Sequence, residues 1–391
     1  MAIGLVTDEG SVFIEKEVTE GTYVAEASGA AAIEVLSDGL EFTPTKELLE
    51  RNNRTSTVEK VPSRVGQKSM AGTVPTEYKA GSTEGGLPET DPLYEALLGG
   101  KREYVSRVSS TGHSTTVINL EAGEAAQYAA GDIIKIKEYD LNAANEDHVT
   151  PITDVTGDVV TVLIPYFQAF SDNVEVAAGV TYFHQSGAPT LSVTNYLGGK
   201  IREKAIGMRC VSGEIANFST GQLATTSFSL EGLNFDREVA NPLFTPIFDS
   251  SLPPVILCAK VYKNSEELVV NSVGITMSNT LGFLTSTASK NGKISSRITE
   301  FVTNFSINPY MEDDDVDNFD LFNDNTAFSL FGSAHNPGAA QQEHLENVAF
   351  YMPNCRIPEI TTGDEDGILT DTISGTAYKD KGNDTVFISF I

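Results

Sequence analysis

The sequence predicts a mainly β protein with two similar halves and a small β insertion. Three observations carry this reading. Apolar and polar residues alternate over 115–120, 132–137, 159–164, 225–230, 303–307 and 385–391, which is the period of a half-buried strand. The 33 glycines and 16 prolines punctuate these runs as turns. Helix signals are few and short. Thr90 and Pro92 precede the apolar run 93–98, which ends on Gly99 and Gly100, so a short capped helix is expected there. A second is expected over 316–322, behind acidic residues that suit the positive end of a helix dipole. A third is expected over 46–51.

The duplication rests on four stations that recur in the same order. A strand near 39–43 recurs near 274–278. A cationic segment follows each. Arg51, Arg54, Lys60, Arg64 and Lys68 stand against a single acid, Glu59, and later Lys290, Lys293 and Arg297 stand with none. Next comes a strand, an acidic stretch and a short helix, over 73–98 and again over 303–322. Last is a strand pair about a Thr-Gly turn, at Thr220-Gly221 and again at Thr362-Gly363. The stretch 123–180 has no counterpart and reads as a small β insertion projecting from the body. The expected organisation is therefore a first domain over 1–122 plus 181–240, the insertion over 123–180, and a second domain over 241–391.

Composition bounds function. With 26 basic and 54 acidic residues the formal net charge is −28, a surface that repels phosphate backbones and anionic membranes. No apolar run approaches the roughly 18 residues of a membrane helix, and the start carries no export signal pattern. The cysteines Cys210, Cys258 and Cys355 are odd in number and far apart. They read as buried thiols in a reducing compartment, not as a disulfide or metal framework. The five histidines are scattered without metal spacing, and neither a nucleophile elbow nor a phosphate loop is present. No enzyme activity and no cofactor are expected. The weak metal candidates are Asp313, Asp315, Asp317 and Asp324, whose spacing is that of a calcium loop. Asn318 stands where the loop needs glycine and Asp320 where an apolar residue packs, so the run also reads as a solvated helix start. The cationic segment Arg51, Arg54, Lys60, Arg64 and Lys68 is the expected contact to an acidic surface of a second copy, because head-to-tail contacts build rings or stacks.

The motifs Gly21-Thr22-Tyr23-Val24-Ala25, Leu48-Leu49-Glu50-Arg51-Asn52-Asn53-Arg54-Thr55, Gly86-Leu87-Pro88-Glu89-Thr90-Asp91-Pro92-Leu93-Tyr94 and Asp366-Gly367-Ile368-Leu369 resemble those of long-tailed phage tail tube proteins, also called major tail proteins. The resemblance implies duplicated tail-tube β-barrel or sandwich domains with short flanking helices. It implies a structural virion protein, assembled in the host cytoplasm, that polymerises as stacked rings into the hollow tail tube through which DNA passes without specific binding. With a duplicated domain the expected ring is a trimer with pseudo-sixfold symmetry, a hexamer being the alternative. The implied partners are further copies of the chain, the tape measure protein and the tail terminator, with no membrane. Two other readings stay open: another phage-like tube or virion component, and a calcium-stabilised surface β protein.

Overall fold

The computed structural model of the chain describes residues 10–27, 31–36, 40–51, 53, 59–137, 148–167, 172–257, 259–311, 317–335, 347–365 and 367–391. It is mainly β. The first half contributes β1 (Ser11–Lys16), β2 (Glu41–Leu49), β3 (Arg64–Glu77), helix α1 (Asp91–Leu98) and β4 (Gly99–Tyr104). A run of shorter strands follows: β5 (Arg107–Val108), β6 (Val117–Asn119), β7 (Ile133–Lys137), β8 (Val149–Thr156), β9 (Val159–Val162) and β10 (Glu175–Val176). Then come β11 (Gly179–His184), β12 (Leu191–Leu197), β13 (Ile201–Ser219), β14 (Thr225–Gly232) and β15 (Asn234–Val239). The second half holds β16 (Lys260–Lys263), β17 (Glu266–Glu267), β18 (Val270–Thr285), β19 (Lys293–Pro309), α2 (Asp317–Asn323), β20 (Phe328–Ala334), β21 (Val348–Glu365), β22 (Ile368–Ala377) and β23 (Phe387–Phe390).

Six antiparallel pairings of the first half have counterparts in the second. β1 with β12 is matched by β16 with β20. β12 with β13 and β13 with β15 are matched by β20 with β21 and β21 with β23. The order β2, β3, β14, β13 is matched by β18, β19, β22, β21. Even the registers coincide. Cys210 faces Leu230 and Ile215 faces Thr226; Cys355 faces Ala377 and Ile360 faces Ile373. A β-bulge lies between the two positions in both strands, where an extra residue bends the ladder. The halves then join edge to edge, because β13 also pairs with β18 from Ser212–Ser278 to Ser219–Ser272. The result is one antiparallel row, β2-β3-β14-β13-β18-β19-β22-β21.

The core forms where the apolar face of this row meets α1 and a second sheet, β16-β20-β21-β23-β11-β4. Val74, Phe228, Ile275 and Phe305 from the row meet Tyr182, Leu330, Phe350 and Phe390 from the second sheet. Successive strand residues point to opposite faces, so Phe331, Ala349, Tyr351 and Phe387 face the other way. They pack against Ile133, Val149, Ile164 and Ala177 of the insertion. The insertion is a separate six-stranded sheet with its own apolar cluster. It lies on the side of the molecule opposite the outer face of the row. Its first strand starts at Arg107, ahead of the expected boundary at 123: β5 and β6 belong to the six-stranded sheet, although their short runs carry no composition shift.

α1 is set as the glycine and proline signals predict. Gly99 takes φ 86° and its N–H donates to the Glu95 carbonyl. Thr90, expected as the cap, contributes its backbone carbonyl to Leu93 and Tyr94 and makes no side-chain cap bond. Asp91 in the first turn is instead held by Lys101 Nζ at 3.0 Å and the Tyr182 hydroxyl at 2.7 Å. The helix expected over 46–51 is not formed. Lys46, Leu48 and Leu49 lie in β2, laddered to Lys68, Val65 and Arg64, because hairpin pairing overrides the helix propensity of a Lys-Glu-Leu-Leu-Glu run.

Two packing details yield tests. Equivalent pairs in the halves swap size: Val74 faces Phe228, whereas Phe305 faces Gly375. A Cβ on Gly375 would lie 2.2 Å from Phe305 Cζ and 2.6 Å from the Arg356 carbonyl oxygen. Gly375→Val should therefore cost about 1–3 kcal/mol through overpacking, and adding Phe305→Val should recover part of it, read as thermal unfolding midpoints. The second detail is Lys79, whose buried Nζ sits 2.5 Å from Glu34 and 3.6 Å from buried Glu89. Burial pushes the Glu89 carboxyl up to about 7. Its neutral form is thus favoured by folding, and that contribution is lost as pH rises through this value. Lys79→Met leaves Glu89 unpaired and should cost on the order of 3–5 kcal/mol when Glu89 is charged. The loss should be larger at pH 8 than at pH 6, as urea titrations at the two values would measure.

Candidate assembly site

Several titratable groups of the described residues are held in structural contacts. His148 is buried against Tyr166, with ring centroids 4.6 Å apart, and burial lowers its pKa to about 4. His184 stacks on Phe301 at 4.3 Å, and burial lowers it too. His113 sits between the Ser110 carbonyl and the Asn119 N–H. Burial pushes the thiols of Cys210 and Cys355 far above their ordinary value. Among the described residues no group of three or more His, Cys, Asp or Glu side chains could hold a metal ion. Asp313 and Asp315 lie outside the described residues. Asp317 opens α2, Asp320 is exposed at its middle and Asp324 is exposed just after it.

What the fold does present is surface. The outer face of the row is a carpet of small polar side chains. One register line crosses six strands through Ser227, Glu214, Thr276, Asn304, Thr376 and Arg356. The next line runs Glu41, Thr73, Ser229, Ser212 and Ser278. Strand alternation produces both lines. In β14 the residues Thr226, Phe228 and Leu230 are buried while Thr225, Ser227 and Ser229 stay half-exposed. Charges on this face are mostly carboxylates, and Arg356 at its rim donates to the Asn325 carbonyl.

The row has two open edges among the described residues. β2 pairs only with β3, and β21 beyond Cys355 pairs only with β22. Eight of the nine residues of β2 are exposed and only Phe42 is half-buried. Unpaired edges of this kind are templates for another strand.

The cationic segment is partly loop and partly strand. Arg51 and Lys60 are exposed outside strands, and Lys60 pairs with Glu50 at 3.5 Å. Arg64 and Lys68 lie on β3, in place of the expected continuous loop over 51–68. Arg54 lies outside the described residues. The structure brings the two cationic stations together: the Lys68 N–H donates to the Asn291 carbonyl at 3.3 Å, and Gly292 sits against the Gln67 side chain. Lys293 lies over the Phe283 ring at 3.7 Å and Arg297 pairs with Glu20 at 2.9 Å. Sequence reasoning missed the exposed aliphatic residues at the same hairpin ends, Leu48, Leu49 and Val65, then Leu284 and Ile294. The adjacent Leu48-Leu49 pair was the available signal.

A comparison with curated proteins gave no match. The family model described as phage tail tube protein matches residues 7–377, which takes in both halves, the row and the insertion. A β-rich body built of repeated pairings, with a polar outer face and open edges among the described residues, is of a piece with that match, and the chain belongs to the phage tail tube protein family, as a structural component of the virion tail.

Proposed function

We propose that the protein polymerises as rings of three chains, each chain supplying two equivalent tube domains, and that the rings stack into a tube with the hydroxyl-rich face of the row lining the lumen. The observation that carries this reading is the repeated strand order with its edge-to-edge junction at β13 and β18. A chain that already sets one domain beside another by sheet continuation has open edges to continue the series, and rotation about an axis closes it. The apolar face of the row is used by the core, so only the polar face is free to line a channel. Small hydroxyls offer passing DNA weak contacts that water matches. Glu41, Glu214 and Glu231 on that face, within a chain of net charge −28, repel phosphate and leave few cationic traps. The insertion, on the opposite side of the core, then stands outside the wall. The two tube domains follow the division 1–122 plus 181–240 and 241–391, with the insertion starting nearer Arg107.

Stacking between rings follows from the hairpin ends. Arg51, Arg54, Lys60, Arg64 and Lys68 would meet an acidic edge of the next ring, the stretch 313–317 included, beside the exposed leucines. Tape measure and terminator proteins would meet the ends of the tube.

Electron microscopy of the purified chain should show rings or tubes with three chains and six similar domains per ring. A chain that remains monomeric at high concentration, or a ring of six chains, would overturn the reading. Lys60→Glu with Arg64→Glu should shorten tubes while leaving rings intact, since exposed pairs are worth about 0.2–1 kcal/mol each but recur in every subunit. Tube length unchanged in the double variant, and unchanged by added salt, would reduce the segment to a connector.

A further inference from the structure

We infer that the contact between neighbouring copies is an antiparallel pairing of β21 in one chain with β2 in the next, in the register that β13 and β18 already use inside the chain. This rests on the self-association proposed above and names its residues.

The register can be transferred because the halves correspond residue by residue. On the β21 side, Cys355 takes the place of Cys210 and Ile360 the place of Ile215, both pairs anchored by facing residues of β22 and β14. On the β2 side, Phe305 faces Ile275 and Gly375 in the second half. Val74 faces Phe228 in the first, and Thr73 faces Glu41, which puts Glu41 in the place of Thr276 and Phe42 in that of Met277. Inside the chain Gly213 faces Met277 and Glu214 faces Thr276. Between copies, Pro358 then faces Phe42 and Glu359 faces Glu41.

Burial supports the same occupant. Met277, covered by β13, is 0% exposed, while its counterpart Phe42 is only half-buried on an otherwise exposed strand. The helices repeat the contrast. α1 has its last turn covered from the second half, where Asn279 Nδ2 donates to the Leu97 carbonyl at 2.9 Å, and Leu97 is buried. α2 packs on β21 in the same way but leaves Phe319 56% exposed. A second copy placed by the internal register supplies the missing cover for both Phe42 and α2. Proline and carboxylates on the open strands, Pro44, Pro358, Glu41 and Glu359, are the residues that keep such edges from pairing indiscriminately. Like charges facing across strands are unfavourable, so the pairing must be driven by the apolar cover and the ladder.

The test is register-specific cross-linking. Glu41→Cys with Glu359→Cys, both exposed, places facing thiols within reach of a disulfide, since directly opposite Cβ atoms lie about 4.5–5.5 Å apart. Under mild oxidation the double variant should give covalent dimers and a trimer as the end product. Either single variant, and Glu41→Cys with Asp364→Cys, should give none. Rings seen by electron microscopy that fail to cross-link, or cross-link equally in the off-register pair, overturn this inference while leaving ring formation standing. No assembly by microscopy or sedimentation overturns ring formation and the inference with it. Phe319→Arg, at an exposed position, gives a second readout: the concentration needed for rings should rise roughly tenfold or more, as for loss of an interface anchor, with the unfolding midpoint unchanged. Rings at the wild-type concentration would show that α2 is not covered by the neighbour.

Discussion

The structure depends on the backbone ladder of one strand. β13 is 19 residues long, far beyond the ordinary strand length of about 5–6, and it serves two sheets. Its first part, to Ile206, is flanked by β12 and β15; its later part is flanked by β14 and β18. Every N–H and C=O in such a strand needs a partner, and its ladder partners come from four other strands, β12, β14, β15 and β18. The bulge after Cys210 lets the strand leave one sheet and enter the other without forfeiting the ladder. Once β13 is in place, the row, the second sheet and the seat of α1 are all positioned relative to it. β21 plays the corresponding part in the second half, with one difference: among the described residues its later part has a neighbour on one side only.

That asymmetry divides the molecule by function. The apolar face of the row and the second sheet are closed, with Val74, Phe228, Phe305 and Phe350 sealed in one cluster. The polar face and the two edges are left over. In a family of structural tail proteins this is the economical arrangement: stability resides in the interior of each chain and specificity at its margins. The insertion is attached through an apolar seam of its own, where Phe387 and Tyr351 meet Ile133 and Val149. Its outer surface can therefore vary without disturbing the row.

Much of this was legible in the residues. Alternation marked β14 and β7 almost to the residue, because a strand with one buried face has period 2. Gly99 and Pro92 marked α1. What was not legible depends on neighbours distant in sequence. Nothing local says that Lys46, Leu48 and Leu49 will be laddered to β3 and not wound as a helix turn. The boundary at 123 missed β5 and β6: alternation over 115–120 marked a strand at β6 but not the sheet it joins, and the two residues of β5 carry no period. The cationic stations were visible as composition, but not that Lys68 would bond to Asn291 in the other half. Edges are the hardest feature to read, since alternation gives the faces of a strand and not its neighbours. Of the four metal candidates, Asp313 and Asp315 lie outside the described residues.

The swap of size between Val74 with Phe228 and Phe305 with Gly375 has a consequence for how identical chains find one another. Two halves built on one plan, at high concentration in a growing polymer, invite a strand of one half to dock into the other. Were β22 to take the place of β14, Val74 would face Gly375 and leave a void. Were β14 to take the place of β22, Phe305 would face Phe228 in space that holds one ring. Both errors are penalised by packing, the first as a cavity and the second as a collision. The halves thus share an outline but not a filling, and the mismatch acts as a proofreading code that tells the chain which half is which.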